Sequence, residues 1–324
     1  MPTSTLRRSA SQIGGHDIVI EAAWLYYQDG LNQNEIAARF KVSRATVVNY
    51  LQEARERGYV QITLSPKAFK GHEAALHLCE AFGLKEAYVV PDDPGERRAT
   101  EIRVARGAAQ WLPRLLTPGD RLGVAWGKTI YDVAEFLETV AIDDLTVLQL
   151  VGSMATPYGF SADVVSSYVA RKFSARCVNL HVPAMLSSPQ VAKALRAEDL
   201  IATQLEEISN FNKTLFAVGS CAPDSHVVSS GVATIDELNW YIDHGAVGVM
   251  CGRFIDAQGR GIEGPLDERM MGISLDRMRN PETGILVSVG SERVPAAIAA
   301  LRGGYATHIV THQSSAEAIL ASGG

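Results

Sequence analysis

Apolar positions follow two different periods along this chain, one in each part of it. From Asp17 to Gly58 they recur every three or four residues, which predicts helices. In DIVIEAAWLYYQD (Asp17–Asp29), Val19, Ala22, Ala23, Tyr26 and Tyr27 fall at helical spacing, and Gly30 stops the helix. In LNQNEIAARFKVSRATVVNYLQEARERG (Leu31–Gly58), Ile36, Phe40, Val42, Val47 and Tyr50 are spaced so that two short helices share one small core. Ala37 sits where those helices cross most closely. Asn32 with Glu35 three residues on predicts an N-cap and capping box, and Ser43 caps the second helix. That helix keeps Val47, Tyr50, Leu51 and Ala54 inward and leaves Arg44, Ala45, Val48, Asn49 and Gln52 outward.

The stretch reads as a helix-turn-helix, whose second helix presents polar residues near its N-terminus to base edges. Arg pairs with guanine and Asn with adenine by double hydrogen bonds, so Arg44 and Asn49 are the candidate base readers. Gln33, Ser43, Ala45 and Thr46 complete the expected DNA-facing set, and Tyr27 is placed at the phosphate edge. An ordinary helical hairpin with a solvated polar face is the alternative. It does not require the small residue, the short turn and the outward Arg and Asn together. Lys41 stands in the turn where Gly is usual and must accept an unusual backbone conformation. Tyr59 to Leu64 (YVQITL) alternates in the strand period and predicts a short wing strand, and Pro66 ends the module. The domain is therefore expected over residues 16–66, after a Ser-, Thr- and Gly-rich tail over residues 1–15 that is expected to be mobile.

From Ala87 onward short β-branched runs recur, at Ala87–Val90, Arg121–Ala125, Leu145–Val151, Arg176–His181, Thr214–Gly219, Ile285–Val289 and Thr307–Thr311. Helix-length stretches lie between most of them, such as Arg97–Leu116, Lys128–Thr139, Ala162–Phe173 and Arg293–Leu301. Strands apolar on both faces, alternating with helices, predict an α/β domain over residues 67–324: a doubly wound, mostly parallel sheet covered on each side. Gly71 to Phe82 is helical in pattern, joins the two parts and offers a place for subunits to pack.

In such a sheet, ligands bind beyond the carboxyl ends of the strands. Four turns follow from that rule. GVAWGKT (Gly123–Thr129) leads a strand into a helix, and Gly127, Lys128 and Thr129 supply close backbone approach, a charge and a hydroxyl suited to a phosphate. It lacks the spacing of a nucleotide-triphosphate loop, and a tight turn with a solvated Lys128 is the plainer reading. VGSMATPYGFSAD (Val151–Asp163) places Gly152 and Ser153 after a strand, with Ser161 or Asp163 heading the next helix. Asp163 either hydrogen-bonds sugar hydroxyls or caps that helix. AVGS (Ala217–Ser220) and VGSE (Val289–Glu292) repeat the Gly-Ser pattern. Together the turns predict a polar pocket for a small hydroxylated anion.

Catalytic signatures are missing: there is no GxSxG, no HExxH and no carboxylate pair fixed on one helix face near a pocket turn. His181 and His226 lie near strand ends where a base could act. His308 and His312 are four apart, but in a predicted strand, so no metal site is expected, and no cofactor.

Composition adds limits. The 324 residues are 47% hydrophobic and 20% charged, enough for a sizeable core. Cys79, Cys177, Cys221 and Cys251 are scattered without a CxxC pair, as expected in a reducing cytoplasm. No apolar run reaches the length of a membrane span, and the first residues lack the apolar region of a signal peptide. Residues 1–66 carry seven Lys and Arg against six Asp and Glu, or +1, and the rest carries 23 against 30, or −7. A near-neutral reader on an acidic body is unlike a general nucleic-acid coat. It fits a protein that touches DNA through a few placed groups and gains affinity as a homo-oligomer.

The helix-turn-helix segment through Ile62, GVAWGKT, LFAVGS, GAVGVMCGRFIDAQG (Gly245–Gly259), GISLDRM (Gly272–Met278) and VSVGSERVPAAIAALRGG resemble, in order, the SorC family of bacterial transcriptional regulators. The resemblance implies a sugar-binding domain similar in fold to phosphosugar isomerases and deaminases. It also implies a dimer or tetramer on double-stranded operator DNA, governing a carbohydrate operon in response to a phosphorylated sugar. By position it assigns Lys128 and Thr129 to a phosphate-binding turn, and Gly152, Ser153 and Asp163 to a sugar-contacting loop and helix head. Gly219, Ser220 and Cys221 fall at the turn after the next strand. Val249 stands where the family commonly has an acid that contacts effector hydroxyls, which implies an effector smaller or less hydroxylated than usual, or one held differently. The competing expectation is a phosphosugar isomerase or deaminase with an accessory N-terminal module.

Overall fold

Local capping chemistry sets the first helices in the computed structural model, which describes residues 17–62, 65, 69, 72–93, 95–154 and 161–323. The expected tail over residues 1–15 lies outside them. The chain divides into two compact units, Met1–Leu64 and Ser65–Gly324.

In the first unit, α1 (Ile18–Tyr27) is capped by Asp17, and α2 (Gln33–Phe40) by Asn32 with the reciprocal Glu35 bond of a capping box. Ser43 caps α3 (Arg44–Glu56) by accepting from the Thr46 N–H at 3.0 Å. Val19, Ala22, Ala23, Leu25, Ile36, Ala37, Val47, Leu51 and Ala54 form the core, with Phe40, Val42 and Tyr50 half-buried against it. Lys41 ends α2 in the left-handed region at φ 54°, as its place in the turn requires. The wing does not form among the described residues: Tyr59 to Ile62 are in no strand, and Thr63 and Leu64 lie outside the description. Alternation alone is insufficient because a strand needs a partner, and among the described residues none is paired with Tyr59 to Ile62. Tyr59 instead packs with Arg57, whose guanidinium lies 5.9 Å from the ring.

The second unit is built on seven parallel strands: β1 (Glu86–Val90), β2 (Arg121–Val124), β3 (Thr146–Gln149), β4 (Arg176–Val178), β5 (Lys213–Phe216), β8 (Thr283–Val287) and β9 (His308–His312). Their order is β1-β9-β8-β5-β2-β3-β4, and every pairing is parallel. All seven expected runs are strands of this sheet. Alternate residues enter two separate cores. Ala87, Val89, Phe216, Leu286 and Ile309 face α4 (Glu73–Phe82), α13 (Val294–Arg302) and α14 (Gln313–Gly323). Tyr88, Val90, Leu122, Val124, Val147, Leu215 and Val310 face α5 (Arg97–Trp111), α6 (Lys128–Phe136) and α7 (Ala162–Lys172). This is the doubly wound arrangement, with helices on both faces.

Four helices were not anticipated: α8 (Pro189–Arg196), α9 (Asp199–Ile208), α11 (Ile235–Asp243) and α14. A one-turn α10 (His226–Ser229) and α12 (Leu275–Met278) complete the set. Nor was the antiparallel pair β6 (Ala246–Met250) and β7 (Arg253–Asp256) anticipated. Its two-residue turn places Cys251 at φ 49° and Gly252 at φ 77°, the paired positive values of a hairpin turn.

Candidate functional site

The outward face of α3 is as its periodicity required: Arg44, Ala45, Val48, Asn49 and Gln52 are exposed, with Val47, Leu51 and Ala54 buried beneath. Arg44 Nε donates to Gln33 Oε1 at 3.0 Å, so the first residues of α2 and α3 hold each other in place. Ser43 Oγ and Thr46 Oγ1 lie 2.8 Å apart, which ties both hydroxyls to the helix start. Tyr27 is half-buried, edge-on to Tyr26 with centroids 4.9 Å apart. The face thus offers one guanidinium, two amides and two hydroxyls along a helix start.

In the second unit β2, β3 and β4 step one way across the sheet, whereas β5, β8 and β9 step the other. Loops diverge at such a reversal and leave a crevice at the carboxyl ends of the strands. A cleft of about 400 Å³ opens there. Among the described residues it is lined by Trp126 to Thr129 after β2, Ala217 to Ser220 after β5, and Asp224 to Val227 around the start of α10. Ala222, together with Val249, Cys251 and Gly252 of the hairpin, Glu292 and Arg293 after β8, and Arg97 of α5, completes it.

Gly127 begins α6 at φ 116°, a value that excludes most side chains, so the turn can deliver Lys128 and Thr129 to the cleft. Lys128 is not simply solvated. Its Nζ donates to Glu101 Oε2 at 2.7 Å and to Asp132 Oδ2 at 3.3 Å, and Arg98 grips Asp132 through both terminal nitrogens at 2.5 and 2.9 Å. Burial alone would raise the Glu101 carboxyl, but hydrogen bonds from Lys128 and Arg98 hold it down at about 2. Arg97 is paired with Glu292. Four cations, Arg97, Arg98, Lys128 and Arg293, therefore share three carboxylates, Glu101, Asp132 and Glu292.

Arg293 is the cation left short of a close partner. Its side chain is 26% exposed, its nearest carboxylate oxygen is 3.9 Å away on Glu292, and it donates to Thr129 Oγ1 at 3.3 Å and Val289 O at 3.2 Å. Burial lowers its pKa, the cost of holding a guanidinium partly out of water. His226 is likewise lowered, first by burial and then by the charges of Arg293 and Lys128, and its ring lies 5.2 Å from Trp126. Among the described residues Ser225 Oγ is buried with no hydrogen-bond partner.

Five of the residues expected to bind an effector, Gly127, Lys128, Thr129, Gly219 and Ser220, meet at this cleft. Gly152, Ser153, Asp163 and Cys221 are not among its described lining. Gly152 serves packing: a Cβ there would stand 2.7 Å from Val182 O and 2.8 Å from Ala184 N. Ser153 is bridged to Pro183 beside it. Asp163 lies in the first turn of α7, two residues after Ser161 at the cap position. Burial alone would raise its carboxyl, but hydrogen bonds from Ser161, Ser153 and the helix-start backbone hold it below the usual range. Among the described residues its Oδ1 is buried without a partner. Residues 155–160 of that turn lie outside the description. Burial pushes the Cys221 thiol up to about 11.

Trp126, Ser225, Arg293 and Arg97 were missed as cleft residues. Trp126 and Arg293 adjoin recognised turns, but nothing in the spacing marks Ser225 or Arg97. His181 is exposed and away from the cleft, with its N–H bonded to Gln204 Oε1 at 3.1 Å. His312 pairs with Asp92 within the fold. Among the described residues no cluster suited to a metal ion occurs, and no helix is long and apolar enough to cross a membrane.

Known proteins carry the same two parts. Residues 67–321 match the family model described as "Putative sugar-binding domain", and residues 22–68 match the MarR family. The uncharacterized transcriptional regulator YjhU of Escherichia coli K12 is 38% identical over 316 residues, 96% of each chain. The deoxyribonucleoside regulator of Bacillus subtilis is 30% identical over 303 residues, 93% of this chain and 96% of that one. Among solved structures, the full-length sorbitol operon regulator SorC of Klebsiella pneumoniae shares the fold with a TM-score of 0.77 at 23% identity, covering 95% of this chain and all of that one. These relatives are named as regulators, which sets aside the isomerase or deaminase expectation.

Proposed function

This chain belongs to the SorC family of sugar-binding transcriptional regulators, and from that premise we propose that a phosphorylated sugar in the cleft governs its hold on the operator of a carbohydrate catabolic operon. The observation that carries the proposal is the guanidinium of Arg293, partly buried beside Thr129 at the head of α6, with its nearest paired carboxylate oxygen 3.9 Å away on Glu292. A phosphate placed there gains charge-assisted hydrogen bonds and gives a weakly paired, partly buried charge a close partner. Gly127, Lys128, Thr129 and Ser220 are the proposed contacts, and Gly219 lines the cleft without a side chain to fill it. Lys128 must partly leave Glu101 and Asp132 to reach the ligand, so binding and rearrangement of that network are coupled. A ligand controls DNA occupancy only if it prefers one of two states, and this network has two sets of partners for one lysine.

On the DNA side the proposed readers are Arg44 and Asn49, positioned by Gln33, Ser43, Ala45 and Thr46, with Tyr27 toward the phosphates. The near-neutral charge of the module favours a homo-oligomer, dimer or tetramer, on an inverted repeat in the cytoplasm. The functional boundary is proposed near Pro66, with residues 16–66 reading DNA and residues 67–324 binding effector.

The test mixes purified protein with its own upstream DNA and a panel of sugar phosphates, following mobility shift and turnover together. Phosphorylated but not free sugars are expected to change the shift, with no turnover. Lys128→Ala should keep operator affinity and weaken the response roughly ten- to hundredfold. A variant that still responds like the parent removes Lys128 from the site, and turnover without a DNA shift refutes the regulator reading.

A further inference from the structure

Part of the cleft cannot receive a hydroxyl group. Val218, Val227, Val249 and Cys251 are all buried and belong to one apolar cluster, against which Trp126 packs. The backbone here is spent as well. Gly219 N–H donates to Val249 O at 2.8 Å, and Val249 N–H donates to Gly219 O at 3.0 Å, so this stretch of the hairpin turns neither group toward a ligand. Cys251 adds only a neutral thiol, pushed up to about 12 by burial and a weak hydrogen-bond partner in that form. A hydroxyl set against these side chains loses its water and gains nothing in return.

Polar groups that do await a ligand sit elsewhere in the same cleft. Thr129 and Arg293 mark the anion end, and Ser225 Oγ is buried next to His226 without a partner among the described residues. The lining therefore asks for an anion, one hydrogen-bonding group for Ser225, and a bare carbon against Val249. An aldose phosphate with a hydroxyl on every free carbon leaves one of them stranded. One that carries CH2 at that place buries it favourably.

We propose that the effector is a deoxy sugar phosphate whose deoxygenated carbon packs on Val249 and whose remaining hydroxyl or carbonyl bonds Ser225. The inference rests on the cleft being the effector site, and the experiment separates the two. Full-length protein is titrated calorimetrically with ribose 5-phosphate, its 2-deoxy and 3-deoxy counterparts, glucose 6-phosphate and 2-deoxyglucose 6-phosphate, with inorganic phosphate as the anion alone. One deoxy member should bind roughly ten- to hundredfold more tightly than its hydroxylated parent. Val249→Asp, which supplies an acceptor, should reverse that order, and the near-isosteric Val249→Thr should narrow the gap if the Asp variant does not fold. Binding of the parents as tight as or tighter than that of every deoxy member overturns the inference and leaves the effector site standing. Should no sugar phosphate bind more tightly than inorganic phosphate, the effector site falls, and this inference with it.

Discussion

In the helix-turn-helix the outward groups Arg44, Ala45, Val48, Asn49 and Gln52 share one face of one helix, whereas the cleft draws Arg97, Lys128, Ser225 and Arg293 from four separate elements. In the first unit an unbroken helical period orders side chains directly, because residues three and four apart must lie together. In the second, strand order decides which loops meet, and the chain reverses between β2 and β5 for reasons no local pattern expresses. A face on a single element can be read one residue at a time. A face assembled across a sheet is known only as a set of turns until the topology is in hand.

The largest test of that contrast is a core deletion. Ile36 is fully buried among α1, α2 and α3, and Ile36→Ala should cost about 2–5 kcal/mol of the first unit's stability. Operator binding is expected to collapse, while the melting shift given by a sugar phosphate persists, because the cleft lies wholly within Ser65–Gly324. Scanning calorimetry with and without ligand checks both. If the ligand response vanishes together with DNA binding, the two surfaces are not separable in the way their construction suggests.

A smaller effect sharpens the reading of α3. Arg44→Ala should weaken operator binding by about 1–3 kcal/mol and relax specificity at one base pair in each half-site. Because Gln33 Oε1 holds Arg44 Nε at 3.0 Å, Gln33→Ala should lose less affinity while blurring the same base pair. Binding measured across single-base operator variants distinguishes these outcomes. Equal loss on every sequence would mean that Arg44 touches phosphate instead.

What could be read in advance follows the same division. All seven sheet strands were legible because β-branched runs buried on both faces have no other common use, and the caps at Asn32 and Ser43 followed from residue type and spacing. The turn at Gly127 was legible too, but its electrostatics were not: Glu101 lies a strand and a helix away, and nothing local says it will hold Lys128. The β6–β7 hairpin was missed because Cys-Gly is a weak turn signal and Gly248 interrupts the strand pattern. Gly248 is needed there, since a Cβ would approach Ala296 Cβ to 2.4 Å. α14 was missed because it begins directly after His312, with no loop residues to punctuate the change from strand to helix. The part of the expected wing that is described, Tyr59 to Ile62, differs for the opposite reason, a local pattern without a partner among the described residues.

The smallest effect is also the one most fully determined by a single residue. Lys41 closes α2 in the left-handed region at φ 54°, where a Cβ crowds the following carbonyl and costs about 1 kcal/mol. Its side chain is exposed and makes no hydrogen bond or ion pair among the described residues, so little is lost with it. Lys41→Gly removes the strain but lets the unfolded chain wander more, and the two effects oppose each other. Strain relief should prevail, because the backbone N–H of residue 41 is already bonded to the helix, 3.4 Å from Ala38 O, and the turn geometry is fixed by its neighbours. The expected gain is about 0.5–1 kcal/mol in urea unfolding of the first unit, with operator affinity lowered only by the loss of one positive charge. A destabilised variant would mean that the Lys41 side chain packs usefully in solution, and that even in the more legible unit a turn residue carries more than its backbone angle.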